Sequence, residues 1–92
     1  MEATRISFIG GGNMARSLVG GLLADGAPAG TLQVAEPDPA RRAALQADFG
    51  VAVGDDNVAA AAAAEVVVLA VKPQVAPEVA REIATAVADH GA

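Results

Sequence analysis

The sequence predicts an α/β fold: a Rossmann-like doubly wound parallel sheet with strands in the order 3-2-1-4. Three observations lead there. A strand candidate at residues 5–9, apolar at Ile6, Phe8 and Ile9, ends in Gly10-Gly11-Gly12-Asn13-Met14-Ala15, a G-x-G-x-x-A pattern that opens a helix. Strand-like and helix-like segments then alternate along the 92 residues, with short joins between them. Residues 66–71 form a continuous apolar run, as expected of a parallel strand covered on both faces. Four strands are little more than half of a six-stranded dinucleotide fold. Residues 1–92 are therefore expected to be a partial dinucleotide-binding domain, cut before the later strands and a further domain.

The elements follow in order. After the first strand, Met14, Leu18 and Leu22 recur at helical spacing with Val19 beside them, up to an Asp25-Gly26 stop. Gly20 and Gly21 lie inside this helix at about 1 kcal/mol each against alanine, which suggests close packing on the sheet. A loop at 27–30 precedes a second strand at 32–35, ended by Glu36-Pro37-Asp38-Pro39. Asp38 suits an N-cap and Pro39 the first turn of a helix reaching Phe49, with Gly50 at its C-terminal cap. Residues 51–53 give a third strand. Asp55 or Asp56 then caps an alanine-rich helix through Ala64, because alanine is the best helix former. The fourth strand breaks at Lys72-Pro73-Gln74. Val75, Val79, Ile83 and Val87 follow at i, i+4 spacing and predict an amphipathic helix.

Composition excludes several functions. A net charge of −5, with six scattered basic residues, leaves no basic stripe for nucleic acid. The absence of cysteine rules out disulfides and thiolate metal sites. No apolar run approaches the ~20 residues of a membrane span, and no secretory signal is visible, so a cytoplasmic location is expected. Alanine dominates the apolar content and only 2% of residues are aromatic, so the core buries little area and stability should be marginal. An apolar fourth strand at the sheet edge also predicts self-association into a homo-oligomer.

The chemistry concentrates at two strand ends. Gly10 permits the tight turn, Gly12 leaves room for a pyrophosphate, and Ala15 lets the helix lie close on the strand. Free N–H groups at the helix start and its dipole would face the phosphates. Glu36 stands 21 residues after Ala15, where an acid would bond the adenosine ribose hydroxyls and favour NAD; it could equally be a turn residue before proline. Arg41 or Arg42 could instead meet the 2′-phosphate of NADP, or lie on a solvated helix face. NAD and NADP both stay open. Ligands of open parallel sheets sit at the carboxyl ends of strands, so Ala70, Val71, Lys72 and Pro73 should face the same crevice as the glycine turn. Lys72 would bring a cation to the nicotinamide side, or simply be an exposed lysine. His90 belongs to a terminal tail. Asp55-Asp56-Asn57 reads as a helix cap and not as a metal site, and no nucleophilic triad can be assembled. No catalytic residue is assigned, as expected where a cofactor carries the hydride.

Phe8-Ile9-Gly10-Gly11-Gly12-Asn13-Met14-Ala15, then Leu18, Gly21 and Leu22, and later Leu69-Ala70-Val71-Lys72-Pro73-Gln74, resemble pyrroline-5-carboxylate reductase. The resemblance spans nearly the whole chain, including the Glu36-Pro37-Asp38-Pro39 turn and the Asp56-Asn57 pair. It implies the amino-terminal cofactor domain of an NADP- or NAD-dependent enzyme that reduces 1-pyrroline-5-carboxylate, a cyclic imine acid, to L-proline. It further implies that the turn from Ile9 through Gly10, Gly11, Gly12 and Asn13 to Met14 cradles the pyrophosphate. Glu36 would meet the adenosine ribose, Asn57 the adenine side, and Ala70, Val71, Lys72 and Pro73 the nicotinamide end. Family members often carry small polar or basic residues near Glu36, so its acid departs from a strict NADP pattern. A helical domain beyond this chain would hold the substrate and build the oligomer, leaving the 92 residues without turnover of their own. A β-hydroxyacid dehydrogenase would more typically read G-x-M-G at the turn. A non-catalytic dinucleotide-binding module is the other alternative.

Overall fold

The computed structural model describes residues 4–89. Strands β1 (Ile6–Ile9), β2 (Leu32–Ala35), β3 (Ala52–Gly54) and β4 (Val66–Leu69) alternate with helices α1 (Asn13–Ala24), α2 (Pro39–Phe49), α3 (Asn57–Ala63) and α4 (Ala76–Asp89). All strand pairings are parallel, and the order is β3-β2-β1-β4, as the sequence predicts. Phe8 lies beside Val34 and Val68, and Ile9 beside Ala35 and Leu69.

The period of two along each strand separates two cores. Phe8, Leu32 and Val34 pack with Ala15 and Val19 of α1 and Leu45 of α2. Ile9 and Ala35 pack on the opposite face with Ala60 and Ala61 of α3 and Ile83 of α4. The chain therefore changes face between α2 and α3, and β1 and β4 flank the point of reversal. A crevice at their carboxyl ends follows from that topology. Ser7 is fully buried under α3. Its hydroxyl donates to the Ala60 carbonyl at 2.8 Å and accepts from Gln33 Nε2 at 2.6 Å, which satisfies the one polar side chain of β1.

Local signals act where the sequence places them. Asp38 Oδ1 accepts the Ala40 N–H at 2.9 Å, with Pro39 in the first turn of α2. Gly50 closes that helix in the left-handed region at φ 71°. Of the two candidate caps for α3, Asp56 does the work, accepting the Ala59 N–H at 3.0 Å.

Four expectations need correction. The buried stripe of α1 is Ala15 and Val19, whereas Met14 and Leu18 are 53% and 42% exposed. The small Ala15 side chain brings the helix down on that side, which turns positions 14 and 18 outward. Gly20 approaches α2 and not the sheet, its missing Cβ pointing at the Phe49 ring 3.5 Å away, and a Cβ built on Gly21 would meet nothing within 4 Å. Strand β4 stops at Leu69 and is half open to solvent, Val66 and Leu69 being exposed, because the sheet ends there. Val75 precedes α4 and is exposed. His90 and the side chain of Val87 lie outside the described residues. Among the described residues no helix is long and apolar enough to cross a membrane, and no group of three His, Asp or Glu could hold a metal ion.

Candidate functional site

A cavity of about 550 Å³ opens at the carboxyl ends of β1, β2 and β4. Three backbone bonds tie all four strand ends together at its base. Gly10 N–H donates to the Ala35 carbonyl at 2.8 Å, Ala70 N–H to the Ile9 carbonyl at 2.8 Å, and Glu36 N–H to the Gly54 carbonyl at 2.8 Å. The sheet ladder thus extends into the loops that form the walls.

The glycine turn makes the floor. Gly10 adopts φ +101°, a region that L side chains rarely enter, and sits against Ala70 and Val71. Gly12 is the N-cap of α1 and carries no side-chain cap, and the first turn of the helix has no acidic residue. The N–H groups that start a helix have no intrahelical acceptor. They and the positive end of the dipole therefore open on the cavity with nothing anionic supplied by the helix. A Cβ built on Gly12 meets nothing within 4 Å, so the space above this glycine belongs to the cavity. Uncapped N–H donors beneath an open approach are what a phosphate group requires, and these residues fit a dinucleotide in that respect.

Gly11 has a different job. Its Cβ would stand 2.9 Å from Leu45 Cδ1 and 3.0 Å from Glu36 Cβ, so its smallness lets the β2 end close over the turn. Glu36 is 4% exposed. Its Oε1 accepts the Gly11 N–H at 2.7 Å and its Oε2 the Asp38 N–H at 2.8 Å, joining the two loops through one carboxylate.

Of the residues selected from the sequence, Gly10, Gly11, Gly12, Asn13 and Met14 line the cavity from the turn. Ala70, Val71 and Lys72 line it from the end of β4, and Glu36 from the end of β2. Three do not line it. Ile9 is fully buried in the core with Ile83. Pro73 is exposed beside the cavity. Asn57, placed by the resemblance near the adenine, instead donates its side-chain amide to Glu82 Oε1 of α4 at 2.8 Å. That bond joins α3 to α4.

Arg16, Arg41 and Val75 line the cavity as well, and of these only Arg41 is a candidate on sequence grounds. Arg16 stacks over Phe49 at 5.0 Å from the ring centroid and pairs with Asp48 of α2. Its position three residues after Asn13, on the same face of α1, was the available signal. Lys72 is exposed at the opposite wall and takes no part in the ion pairs of the described residues, which involve Arg16 and Arg41. The cavity therefore has cationic side chains on three sides and one buried carboxylate.

The family model described as NADP oxidoreductase, coenzyme F420-dependent, matches residues 5–91. The chain belongs to this family. A pyrroline-5-carboxylate reductase of Vibrio alginolyticus is 51% identical over 74 residues, covering 80% of this chain and 27% of that protein. The structure of a pyrroline-5-carboxylate reductase from Coxiella burnetii superposes with a TM-score of 0.85 at 39% identity, over 89% of this chain and 30% of that one. An imine reductase variant from Myxococcus stipitatus in complex with NAD+ shares the fold, with a TM-score of 0.76 at 24% identity over 92% of this chain and 29% of that one. The resemblance read from the glycine turn and the Lys72-Pro73-Gln74 segment is thus borne out. The chain spans about a quarter of the length of the curated relatives it matches.

Proposed function

We propose that this chain is the dinucleotide-binding part of a pyrroline-5-carboxylate reductase, which delivers hydride from NADPH or NADH to the C=N carbon of 1-pyrroline-5-carboxylate while the ring nitrogen takes up a proton from solvent, and so forms L-proline. One observation carries the reading: the uncapped glycine turn and the end of β4 face each other across a single cavity. In this reading the turn of Gly10, Gly12, Asn13 and Met14 holds the pyrophosphate, while Ala70, Val71 and Lys72 line the nicotinamide end. Glu36 belongs to the adenosine side. The nicotinamide supplies the hydride when bound, and this chain's residues orient it. The substrate carboxylate would be held by residues outside these 92, so the chain alone binds cofactor without producing proline. The same reading places the enzyme in the cytoplasm.

Calorimetric titration of the chain with NADPH and NADH tests the proposal. Saturable one-to-one binding of at least one of them is expected, and no heat from either at millimolar concentration would refute it. The exposed edge of β4, with Val66 at 44% and Leu69 at 38% exposure, further supports a homo-oligomeric assembly through that edge or the helix beside it. Light scattering should then give a mass that rises above one chain with concentration. A constant single-chain mass would remove the oligomer from the proposal.

A further inference from the structure

The two adjacent arginines at the start of α2 do different things. Arg42 is spent on the loop, its Nη1 donating to the carbonyls of Glu36 at 2.8 Å and Pro37 at 3.0 Å. Arg41 has a side chain 57% exposed at the cavity wall. Its Nη1 stands 4.0 Å from Glu36 Oε1 and its Nε 3.9 Å from Asp38 Oδ2, two contacts too long to be hydrogen bonds. Neighbouring carboxylates thus hold the guanidinium fork at the cavity without occupying its donors.

Glu36 lines the same cavity, but its carboxylate is already engaged. The rule that an acid at the end of β2 selects NAD assumes a carboxylate free to accept ribose hydroxyls. Here both oxygens already accept backbone N–H groups, the side chain is 5% exposed, and its stem packs under Gly11. Two N–H donors and a nearby guanidinium also offset the negative charge that would otherwise repel a phosphate.

We infer that Arg41 reads the 2′-phosphate of NADP(H) and that Glu36 is a positioning residue for the glycine turn, so that this chain prefers NADP(H) to NAD(H). The inference rests on the dinucleotide reading above and deepens it. A planar guanidinium can meet a phosphate through two parallel N–H···O bonds, which NAD has no group to accept.

Calorimetry with NADP+ and NAD+ on the parent chain and three variants tests it. The parent should bind NADP+ at least about tenfold more tightly, since charge-assisted bonds of this kind account for that ratio. Arg41→Ala should cost NADP+ about tenfold or more and leave NAD+ within about twofold, while Arg41→Lys restores part of the loss by keeping the charge without the fork. Glu36→Gln sets an amide NH2 or a lost charge against the loop N–H groups and should weaken both dinucleotides alike. Tighter NAD+ binding by the parent, equal loss of both ligands in Arg41→Ala, or selective loss of NAD+ in Glu36→Gln would overturn the inference while leaving the dinucleotide site standing. Binding of neither ligand by the parent would overturn both. Arg41 is exposed, so its variants keep the test independent of folding.

Discussion

Gly10→Ala lowers the melting temperature of this chain by roughly 12–24 °C, as followed by far-ultraviolet circular dichroism. The loss corresponds to about 3 kcal/mol at about 4–8 °C per kcal/mol for a domain of this size. Two costs combine. An L side chain at φ +101° is strained by about 1–3 kcal/mol, and forcing atoms into a closed contact costs about 1–3 kcal/mol more. The added Cβ would stand 2.8 Å from the Ala70 carbonyl oxygen, 3.0 Å from the Ala70 carbonyl carbon and 2.9 Å from Val71 Cγ1. Backbone cannot yield as a flexible side chain would. Ala70 is also tied to β1 through its N–H bond to the Ile9 carbonyl at 2.8 Å, so retreat of β4 breaks the ladder. Domains of this size hold about 5–14 kcal/mol in all, so the substitution removes a large share. Gly21→Ala serves as the control, because that glycine is helical and exposed and an added Cβ meets nothing within 4 Å, and alanine there should stabilise by up to about 1 kcal/mol. A Gly10→Ala melting point within about 2 °C of the parent would show that the turn is not the constraint described.

Strand order and helix caps were legible because they are local and carry their own chemistry. Asp38 before Pro39, Gly50 after Phe49 and the Asp-Asn pair at 56–57 each state a boundary within three or four residues. The parallel sheet followed from apolar runs joined by helix-length crossovers. The buried face of α1 was not legible, since Met14, Leu18 and Leu22 keep helical spacing as well as Ala15, Val19 and Leu22 do. Choosing between the stripes requires knowing how closely the helix approaches the strand, and a small Ala15 decides that only in three dimensions. The same limit governs the site. An acid at position 36 is visible, but whether its carboxylate faces a ribose or its own chain depends on Gly11, 25 residues earlier, whose missing Cβ makes room for the Glu36 stem. Asn57 is taken by Glu82, again 25 residues away. Long-range pairing of polar side chains leaves no local pattern to read.

Gly12→Val separates binding from folding. Gly12 sits at φ −79°, ψ −163°, extended backbone open to any residue, and a Cβ there meets nothing within 4 Å. Valine forfeits the mild preference for glycine at an N-cap, a cost of about 1 kcal/mol or less, so the melting temperature should fall by no more than about 8 °C. Dinucleotide affinity should fall at least about 100-fold, because the space the two methyl groups fill is the approach to the N–H donors of the α1 start. Two charge-assisted hydrogen bonds of about 1.5–3 kcal/mol each suffice for that loss at 1.4 kcal/mol per tenfold. The contrast with Gly10 is diagnostic. A glycine kept for the fold is missed when the chain melts, and one kept for a ligand is missed when the ligand is titrated. If the valine variant binds NADPH and NADH as tightly as the parent, the phosphates do not lie over this turn, and the cavity must take its ligand in some other pose.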